Sequence, residues 1–425
     1  MIPLDEARAF VLSSCRALPA RSVALDDALG CVCAFPVVAT EPVPPFVNSS
    51  MDGYAVRAVD LEDASPASPV PLAVVGTVLA GSPAQPVVGP GEAVRIMTGA
   101  PLPAGADAVC MLEACVTGSG GSVVVIDGAV GPGTFLRHVG QDVEVGDTVV
   151  DAGVELTPAH LGSLANQGAA EVVVHPRPRI GVLSTGDELV ETGLPLSPGG
   201  IRDANRHSLL SVVRQQGWDP VDLGIVGDDD RAVATALDEA GARCDAVLTS
   251  GGVSVGDADV VKSVLRERCG GTMRWMQVAI RPAKPFAFGV LEASGTPVFG
   301  LPGNPVSALV SFELFVRPAV RLMAGYPGLE RLTVPAQLVG PIERRPDGKT
   351  HFVRSVLSLD DEGAWWVRPL LGQESHQLAV MAAANALIEL PDGDGVARGD
   401  VVRVVVIAPD RLEVVPDPDR AGAPA

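Results

Sequence analysis

The chain has 425 residues, which at roughly 150 per domain suggests about three domains. Apolar residues make up 47 %, enough for real cores, and 51 acidic residues against 31 basic ones leave a net charge of −20. A chain this acidic is repelled by phosphate backbones and anionic lipid, so nucleic acid and membrane surfaces are excluded as first partners. Any anionic ligand must be held by a local basic site or a metal. Aromatic residues, at 4 %, are too sparse for base-stacking platforms. The seven cysteines are scattered, form no C-x-x-C pair and sit mostly in apolar runs, as small buried hydrophobes of a reducing compartment do. The start, Met1-Ile2-Pro3-Leu4-Asp5-Glu6, lacks the features of a signal peptide, and no apolar run reaches about 18 residues. The expectation is a soluble cytoplasmic protein.

In chain order, the first forty residues read as helix-forming, with Asp5 as cap and Phe10, Val11 and Leu12 facing inward. Residues 37–150 are rich in Val, Gly and Pro and break into short strand-like runs such as 71–78, 93–97, 108–112 and 122–126. From about residue 177 strands and helices alternate. Arg179 to Ser184 reads as a strand buried on both faces, followed by a helix with Asn205 as cap and Gly217 just past its end. Strands 221–226, 244–249 and 297–301 and helices 231–240 and 260–268 complete the repeat. Asn304-Pro305 opens a long apolar helix that Pro318 is expected to kink. Repeated βα units imply a doubly wound, mostly parallel sheet. Beyond Gly328 short strands return (333–339, 352–359, 365–369, 386–390, 401–407), and the tail is rich in Pro, Asp and Ala.

In an open α/β sheet, ligands bind beyond the carboxyl ends of the strands. Here those ends read Ser184-Thr185-Gly186-Asp187-Glu188, Gly227-Asp228-Asp229-Asp230, Ser250-Gly251-Gly252-Val253-Ser254 running on to Asp259, and Pro302-Gly303-Asn304-Pro305-Val306-Ser307. Glycine turns let backbone N–H groups approach an anion, and carboxylates beside a phosphate call for a hard cation such as Mg²⁺ between them. Taken singly, each turn is an ordinary loop; four coincident strand ends favour a phosphate and metal site. The pattern is neither a Walker A loop nor G-x-G-x-x-G, and the six dispersed His show no zinc spacing. A second cluster, Arg281-Pro282-Ala283-Lys284-Pro285, places two cations on stiff backbone, suited to an oxyanion; Lys284 is one of only three Lys, with Lys262 and Lys349. A third cluster holds Asp52-Gly53 and Thr98-Gly99, each readable alone as a turn.

The stretches SMDGYAV (50–56), RIMTGAPLPAGADAV (95–109), STGDEL (184–189), TSGGVSVGDAD (249–259), RPAKPFAFG (281–289) and LPGNPVSA (301–308) together resemble the MoeA type of molybdopterin molybdenumtransferases, a family that includes the E domain of gephyrin. They occur in family order and cover most of the chain. The resemblance implies an α/β plus β multidomain fold: a discontinuous domain I (1–45 and 141–176), a β-rich domain II (46–140), a doubly wound, MogA-like molybdopterin-binding domain III (177–326), a small C-terminal β-barrel as domain IV (327–410), and a flexible tail (411–425). It implies Mg²⁺-dependent insertion of molybdate into adenylylated molybdopterin with release of AMP, in a homodimer whose cleft is shared between subunits. Its implied partners are the molybdopterin adenylyltransferase and the molybdoenzymes that accept the cofactor.

Residue by residue, the resemblance assigns Glu188, Asp228 and Asp259 to the metal and pyrophosphate, and Lys284 with Arg281 to the oxyanion. Thr185, Gly251, Gly252, Ser254, Pro302, Asn304 and Ser307 fall in the loops that bind pterin phosphate or molybdate. Arg354 and Ser375 match residues from the C-terminal domain, and Asp52, Thr98, Arg137 and Asp142 match second-domain residues entering from the partner chain. The chain departs from the family where Lys-Pro-Gly-Lys-Pro becomes Arg281-Pro282-Ala283-Lys284-Pro285, and where the acidic residue before Asp142 becomes Gln141. Arg keeps the charge but is a planar fork, and Ala283 gives up backbone freedom. Two other readings stay open: a molybdopterin adenylyltransferase, which the extra domains disfavour, and a non-catalytic scaffold of the gephyrin kind.

Overall fold

A computed structural model describes residues 1–82, 86–118, 122–251 and 260–415. The chain divides into two compact units. One comprises Met1–Arg21, Gly30–Ala34 and Val173–Ala425, the other Ser22–Leu29 and Phe35–Val172. Among the described residues no helix is long and apolar enough to cross a membrane. All seven thiols are unbridged, and six of them are buried.

The larger unit begins with helix α1 (Leu4–Ser13), whose buried residues are Ala7 and Val11; the helix does not continue through the first forty residues, because short strands follow at Arg21–Ala24 and Val32–Cys33. Its cap position holds Pro3, with no side-chain hydrogen bond; Asp5 sits inside the first turn and is not the cap. An acidic side chain there still favours the helix through the macrodipole.

The smaller unit is built on a six-stranded sheet: β1 (Gly53–Val56), β2 (Val70–Val78), β3 (Glu92–Ile96), β4 (Ala108–Met111), β5 (Cys115–Thr117) and β6 (Val123–Ile126), in the spatial order β4-β1-β3-β2-β6-β5. Only the β2–β3 pair is parallel. Side chains alternate along β1, so Tyr54 and Val56 enter one apolar cluster and Ala55 the other. Gly53 is not a turn residue. It opens the strand between β3 and β4, and a Cβ there would stand 1.8 Å from the Cys110 carbonyl oxygen. The glycine is required by backbone approach. We expect Gly53→Ala to lower the stability of this unit by about 3 kcal/mol, because a clash with backbone inside a sheet cannot relax cheaply. A urea titration followed by circular dichroism measures it, and an unshifted midpoint would contradict the argument.

In the larger unit, β7 (Arg179–Thr185), β8 (Asp219–Val226), β9 (Ala246–Ser250), β10 (Arg274–Gln277), β11 (Pro285–Val290) and β12 (Pro297–Leu301) form a second six-stranded sheet, ordered β8-β7-β9-β12-β11-β10. The first four strands are parallel; β11 runs antiparallel to β12, and the edge strand β10 antiparallel to β11, so only β11 is reversed. Every residue of β9 and β12 is buried, as expected for strands covered on both faces. One face packs on α3 (Ala204–Gln215), α6 (Pro305–Ser311) and α7 (Arg317–Met323), numbered with α2 (Pro158–Asn166) of the smaller unit preceding them. The other face packs on α4 (Asp230–Arg243) and α5 (Val260–Cys269). Leu209, Leu210 and Val213 of α3 face the first core, and Val233 and Leu237 of α4 the second. Each such side chain contributes roughly 1.5–3 kcal/mol on burial.

Two local expectations change. The cap of α3 is Asp203, which accepts from the Arg206 N–H at 3.1 Å; Asn205 lies inside the first turn. Around Pro318 the helix does not simply kink. A π-type stretch over Phe312–Val316 joins α6 to α7, and Pro318 falls in the first turn of α7, where its missing N–H costs nothing.

The C-terminal strands β13 (Thr333–Leu338), β14 (Thr350–Leu359), β15 (Trp365–Pro369), β16 (Ala386–Leu390) and β17 (Val401–Val406) pair in the cycle β14-β15-β13-β17-β16, and β16 pairs back to β14. The five strands therefore close into a barrel, filled by Leu338, Leu357, Val367, Ile388 and Val404. Ile280 and Arg281 pair in parallel with Thr350 and His351 of β14. That pairing fixes the segment carrying Arg281 and Lys284 along the barrel's flank.

Candidate active site

The parallel strands end side by side, as the doubly wound topology requires. The Gly186 N–H donates to Val226 O at 3.2 Å, and the Gly251 N–H to Leu301 O at 3.2 Å. Backbone bonds therefore join the end of β7 to that of β8, and the end of β9 to that of β12. Gly251 adopts φ +106°, and a Cβ there would lie 2.8 Å from Thr185 O and 3.0 Å from Thr185 Oγ1. The third strand end thus turns against the first with no room for a side chain. Thr185 is buried, and its hydroxyl has no hydrogen-bond partner among the described residues.

The acidic run after β8 separates into roles. Asp229 caps α4, accepting from the Ala232 N–H at 2.8 Å, and Asp230 accepts from the Ser263 hydroxyl at 3.0 Å. Asp228 is fixed by its backbone, whose N–H donates to Asp187 Oδ1 at 3.0 Å. Its carboxylate makes no hydrogen bond or ion pair among the described residues. The same holds for Glu188, whose carbonyl accepts from the Ile201 N–H at 2.8 Å. Two exposed carboxylates are thus presented by pinned backbone with no cation beside them. Among the described residues no three His, Cys, Asp or Glu gather as a metal site. Asp259, Ser254 and Gly252 lie outside the described residues.

A cavity of about 270 Å³ opens between the 280–285 segment, the start of α6 and the 373–375 loop beside the barrel. Arg281, Lys284, Asn304, Ser307 and Ser375 line it, so residues from three separate stretches meet there. Pro302 is buried in the strand-to-helix turn just before them. Asn304 occupies the cap position of α6, yet its side chain makes no capping bond, which leaves the amide available to the cavity. The Val306 N–H donates to Ser375 O at 3.1 Å and ties that loop to the helix start. Lys284 carries no ion pair among the described residues. Among the described residues Arg281 forms an ion pair with Glu374 alone, at 3.6 Å and with both side chains exposed, an interaction worth little. Ala283 takes φ +76°, a left-handed conformation that glycine adopts freely and alanine at a cost of roughly 1–2 kcal/mol.

Arg354 stands behind this cavity. It is fully buried; Nη2 donates to Gly372 O at 2.9 Å, while Nε and Nη1 find no partner among the described residues. Its backbone exchanges two hydrogen bonds, each 3.0 Å, with the Gln373 side chain. Burial pulls its pKa below the usual guanidinium value, opposed by the charge of Glu374.

Asp52, Thr98, Arg137 and Asp142 all belong to the smaller unit. Asp52 Oδ1 accepts from the Thr98 N–H at 2.7 Å and from its hydroxyl at 2.8 Å. Arg137 lies opposite Asn48 in a two-stranded pairing, and the Asp142 N–H donates to Val43 O at 2.9 Å. Gln141, at the position where an acid is expected, accepts from the His138 N–H at 2.9 Å.

Three family models match in succession: the MoeA N-terminal region (domain I and II) over residues 2–168, a probable molybdopterin binding domain over 181–322, and the MoeA C-terminal region (domain IV) over 343–407. A molybdopterin molybdenumtransferase of Haemophilus influenzae is 37 % identical, over 95 % of this chain and 98 % of its own length. Molybdopterin molybdenumtransferase 2 of Mycobacterium tuberculosis is 40 % identical, over 92 % and 96 %. The chain belongs to the MoeA family. Its fold agrees with a solved MoeA protein from Pyrococcus horikoshii at a TM-score of 0.78 and 32 % identity, over 96 % of this chain and 99 % of that one.

Some MoeA residues of this chain escaped the sequence argument. Asn205 was read as a cap, but its side chain bridges two strand-end loops. Lys349 lines the same cavity as Lys284 while pairing with Asp347 at 2.9 Å. The scarcity of lysine was the signal that could have found it: two of the three in the chain face one cavity. Gln373 and Glu374 carried no such signal, because only the barrel's closure brings them to Arg354 and Arg281.

The Asp52 pair also makes a pH prediction for this MoeA chain. The Thr98 N–H, and after it the Thr98 hydroxyl, hold the Asp52 carboxyl below the usual carboxylate range. A depressed folded-state pKa contributes stability above the ordinary carboxylate range, and that contribution is lost as pH falls through the depressed value. Thr98→Ala removes only the hydroxyl bond. We expect the Asp52 midpoint to rise part of the way to its ordinary value, observed by carbon NMR of the carboxyl group; an unmoved midpoint would leave the hydroxyl without a role.

Proposed function

We propose that this chain acts in molybdenum cofactor biosynthesis as a molybdopterin molybdenumtransferase, inserting molybdate into adenylylated molybdopterin and releasing AMP. The observation that carries this reading is the 301–307 loop. Its Gly303 carbonyl borders the strand-end crevice, and its Asn304 and Ser307 line the cationic cavity. Two anionic substrates, a pyrophosphate-bridged pterin and molybdate, need adjoining sites of this kind on a chain that otherwise repels anions.

Mg²⁺ is part of the proposal. The free donors at the strand ends, Glu188 and Asp228, are carboxylates, the oxygen chemistry a hard divalent cation takes, and Asp259 is the third residue assigned to it. The bound ion would supply charge neutralisation at the pyrophosphate. The chain's own residues do the rest. Glycine turns admit the phosphate to backbone N–H groups. Lys284 and Arg281 hold molybdate, and the buried Arg354 adds unpaired donors behind them. Cleavage of the phosphoanhydride depends on positioning and charge more than on a protein nucleophile, and none is assigned. Asp52, Thr98, Arg137 and Asp142 act from a second copy of the chain in a homodimer, and the setting is the cytoplasm.

The test uses purified protein with adenylylated molybdopterin. Release of AMP that depends on molybdate and Mg²⁺ is the expected result. ATP consumption with free molybdopterin would identify an adenylyltransferase instead. No turnover with either, from folded dimeric protein, would leave a scaffold. Mixing Asp52→Ala with Asp259→Ala protein should restore part of the lost activity, since one mixed dimer regenerates a complete cleft; absence of recovery would refute the shared site.

A further inference from the structure

We infer that Asn205 is a positioning residue of the crevice: its side-chain amide clamps the end of the third parallel strand to the loop after the fourth. The inference rests on the function proposed above. Asn205 Nδ2 donates to Ser250 Oγ at 2.7 Å and to Gly303 O at 2.7 Å. An amide nitrogen has two hydrogens, and both are used. The carbonyl of Gly303 can only accept, so the amide has one workable orientation, with nitrogen toward the two loops. Ser250 is buried at the last position of β9, and Gly303 sits in the turn that feeds α6. One side chain thus fixes the gap between the glycine turn after β9 and the wall of the cationic cavity.

The clamp has a rigid base. Asp203, almost fully buried, caps α3 and accepts from the Ser184 hydroxyl at 3.0 Å, which fastens the first turn of the helix to the end of β7. Arg206 donates to Asp203 at 2.9 Å, to Asp222 at 2.6 Å and to Glu191. A buried guanidinium against three carboxylates leaves that turn little freedom. Asn205 projects from it with its own backbone already fixed, so its two bonds constrain the loops and not itself. Strand ends one, three and four are held through two residues of a single helical turn.

The isosteric pair separates this role from others. Asn205→Ala removes both donors. Asn205→Asp keeps the volume and an acceptor but sets a carboxylate oxygen against the Gly303 carbonyl, so it should do more harm than alanine. We expect molybdopterin binding, followed by pterin fluorescence, to weaken about tenfold in Asn205→Ala and about a hundredfold in Asn205→Asp. The KM should rise with kcat changed much less, and the urea midpoint should fall in both proteins, further in Asn205→Asp, because the two bonds already exist in the ligand-free fold. Hydrogen–deuterium exchange of ligand-free protein gives a second readout: peptides spanning 246–251 and 301–307 should exchange faster in both variants. Binding by Asn205→Asp as tight as the parent's, or unaltered exchange in those peptides, overturns the clamp. Faster exchange in variants of a parent that does not bind molybdopterin would uphold the clamp and reject the function on which its purpose rests.

Discussion

Lys284→Ala should lower molybdate-dependent turnover by about 100- to 1,000-fold while leaving the fold intact. Removing one preorganised charge from an anion site costs on this scale. The argument is local. Lys284 lines a cavity of about 270 Å³ and shares it with Arg281; among the described residues Lys284 makes no ion pair and the one carboxylate near Arg281 is the exposed Glu374, at 3.6 Å. Its charge is not committed to the protein's own structure, so its loss should be invisible to a urea titration. Lys284→Arg should retain part of the activity, because it restores charge with a planar fork in place of a compact ammonium. Steady-state AMP release against molybdate concentration distinguishes these proteins. Near-normal turnover in Lys284→Ala would remove the cavity from the reaction.

Arg354→Met should make the protein more stable and much less active. A fully buried guanidinium with two nitrogens unpaired costs about 2 kcal/mol relative to a shape-filling apolar side chain. Burial already pulls its pKa down, which is the same cost seen through protonation. Selection for stability alone would discard it, which is the situation expected of a residue whose donors serve a ligand. We expect Arg354→Met to raise the urea midpoint, to lose about 100-fold in turnover, and to gain no further stability from molybdopterin, whereas the parent does gain. If the methionine protein were less stable and equally active, Arg354 would be a structural residue whose partners pay for its burial.

Local chemistry explains what could be read in advance. The strands 179–184, 244–249 and 297–301 announced themselves as apolar runs because both faces of the sheet are covered, and the ligand rule for strand ends then pointed to the loops 184–188 and 227–230, within which only the resemblance singled out Glu188 and Asp228. Two antiparallel edge strands, Arg274–Gln277 and Pro285–Val290, were hidden, since prolines and charges crowd the 278–286 stretch. Gly53 was misjudged for a general reason: a glycine demanded by a neighbouring strand and a glycine demanded by a turn look identical in sequence. Asn205 and Asp203 were exchanged because two good capping residues stand two apart, and only the Ser184 and Arg206 bonds to Asp203 decide between them. Arg354 in a β-strand reads as a solvent-facing charge; no periodicity reveals that Gln373 and Gly372 fold back over it.

The larger unit is discontinuous, with Met1–Arg21 and Gly30–Ala34 early in the chain and the rest arriving only after residue 172. Ala7 and Val11 belong to the same core as Val320 and Met323. During synthesis on the ribosome, at about 5–20 residues per second, the helix must wait tens of seconds for the segment it packs against. The six-stranded sheet of the smaller unit, by contrast, has all its strands once residue 126 has emerged. Until α7 leaves the exit tunnel, the apolar face of α1 therefore lacks the surface on which it packs in the native fold.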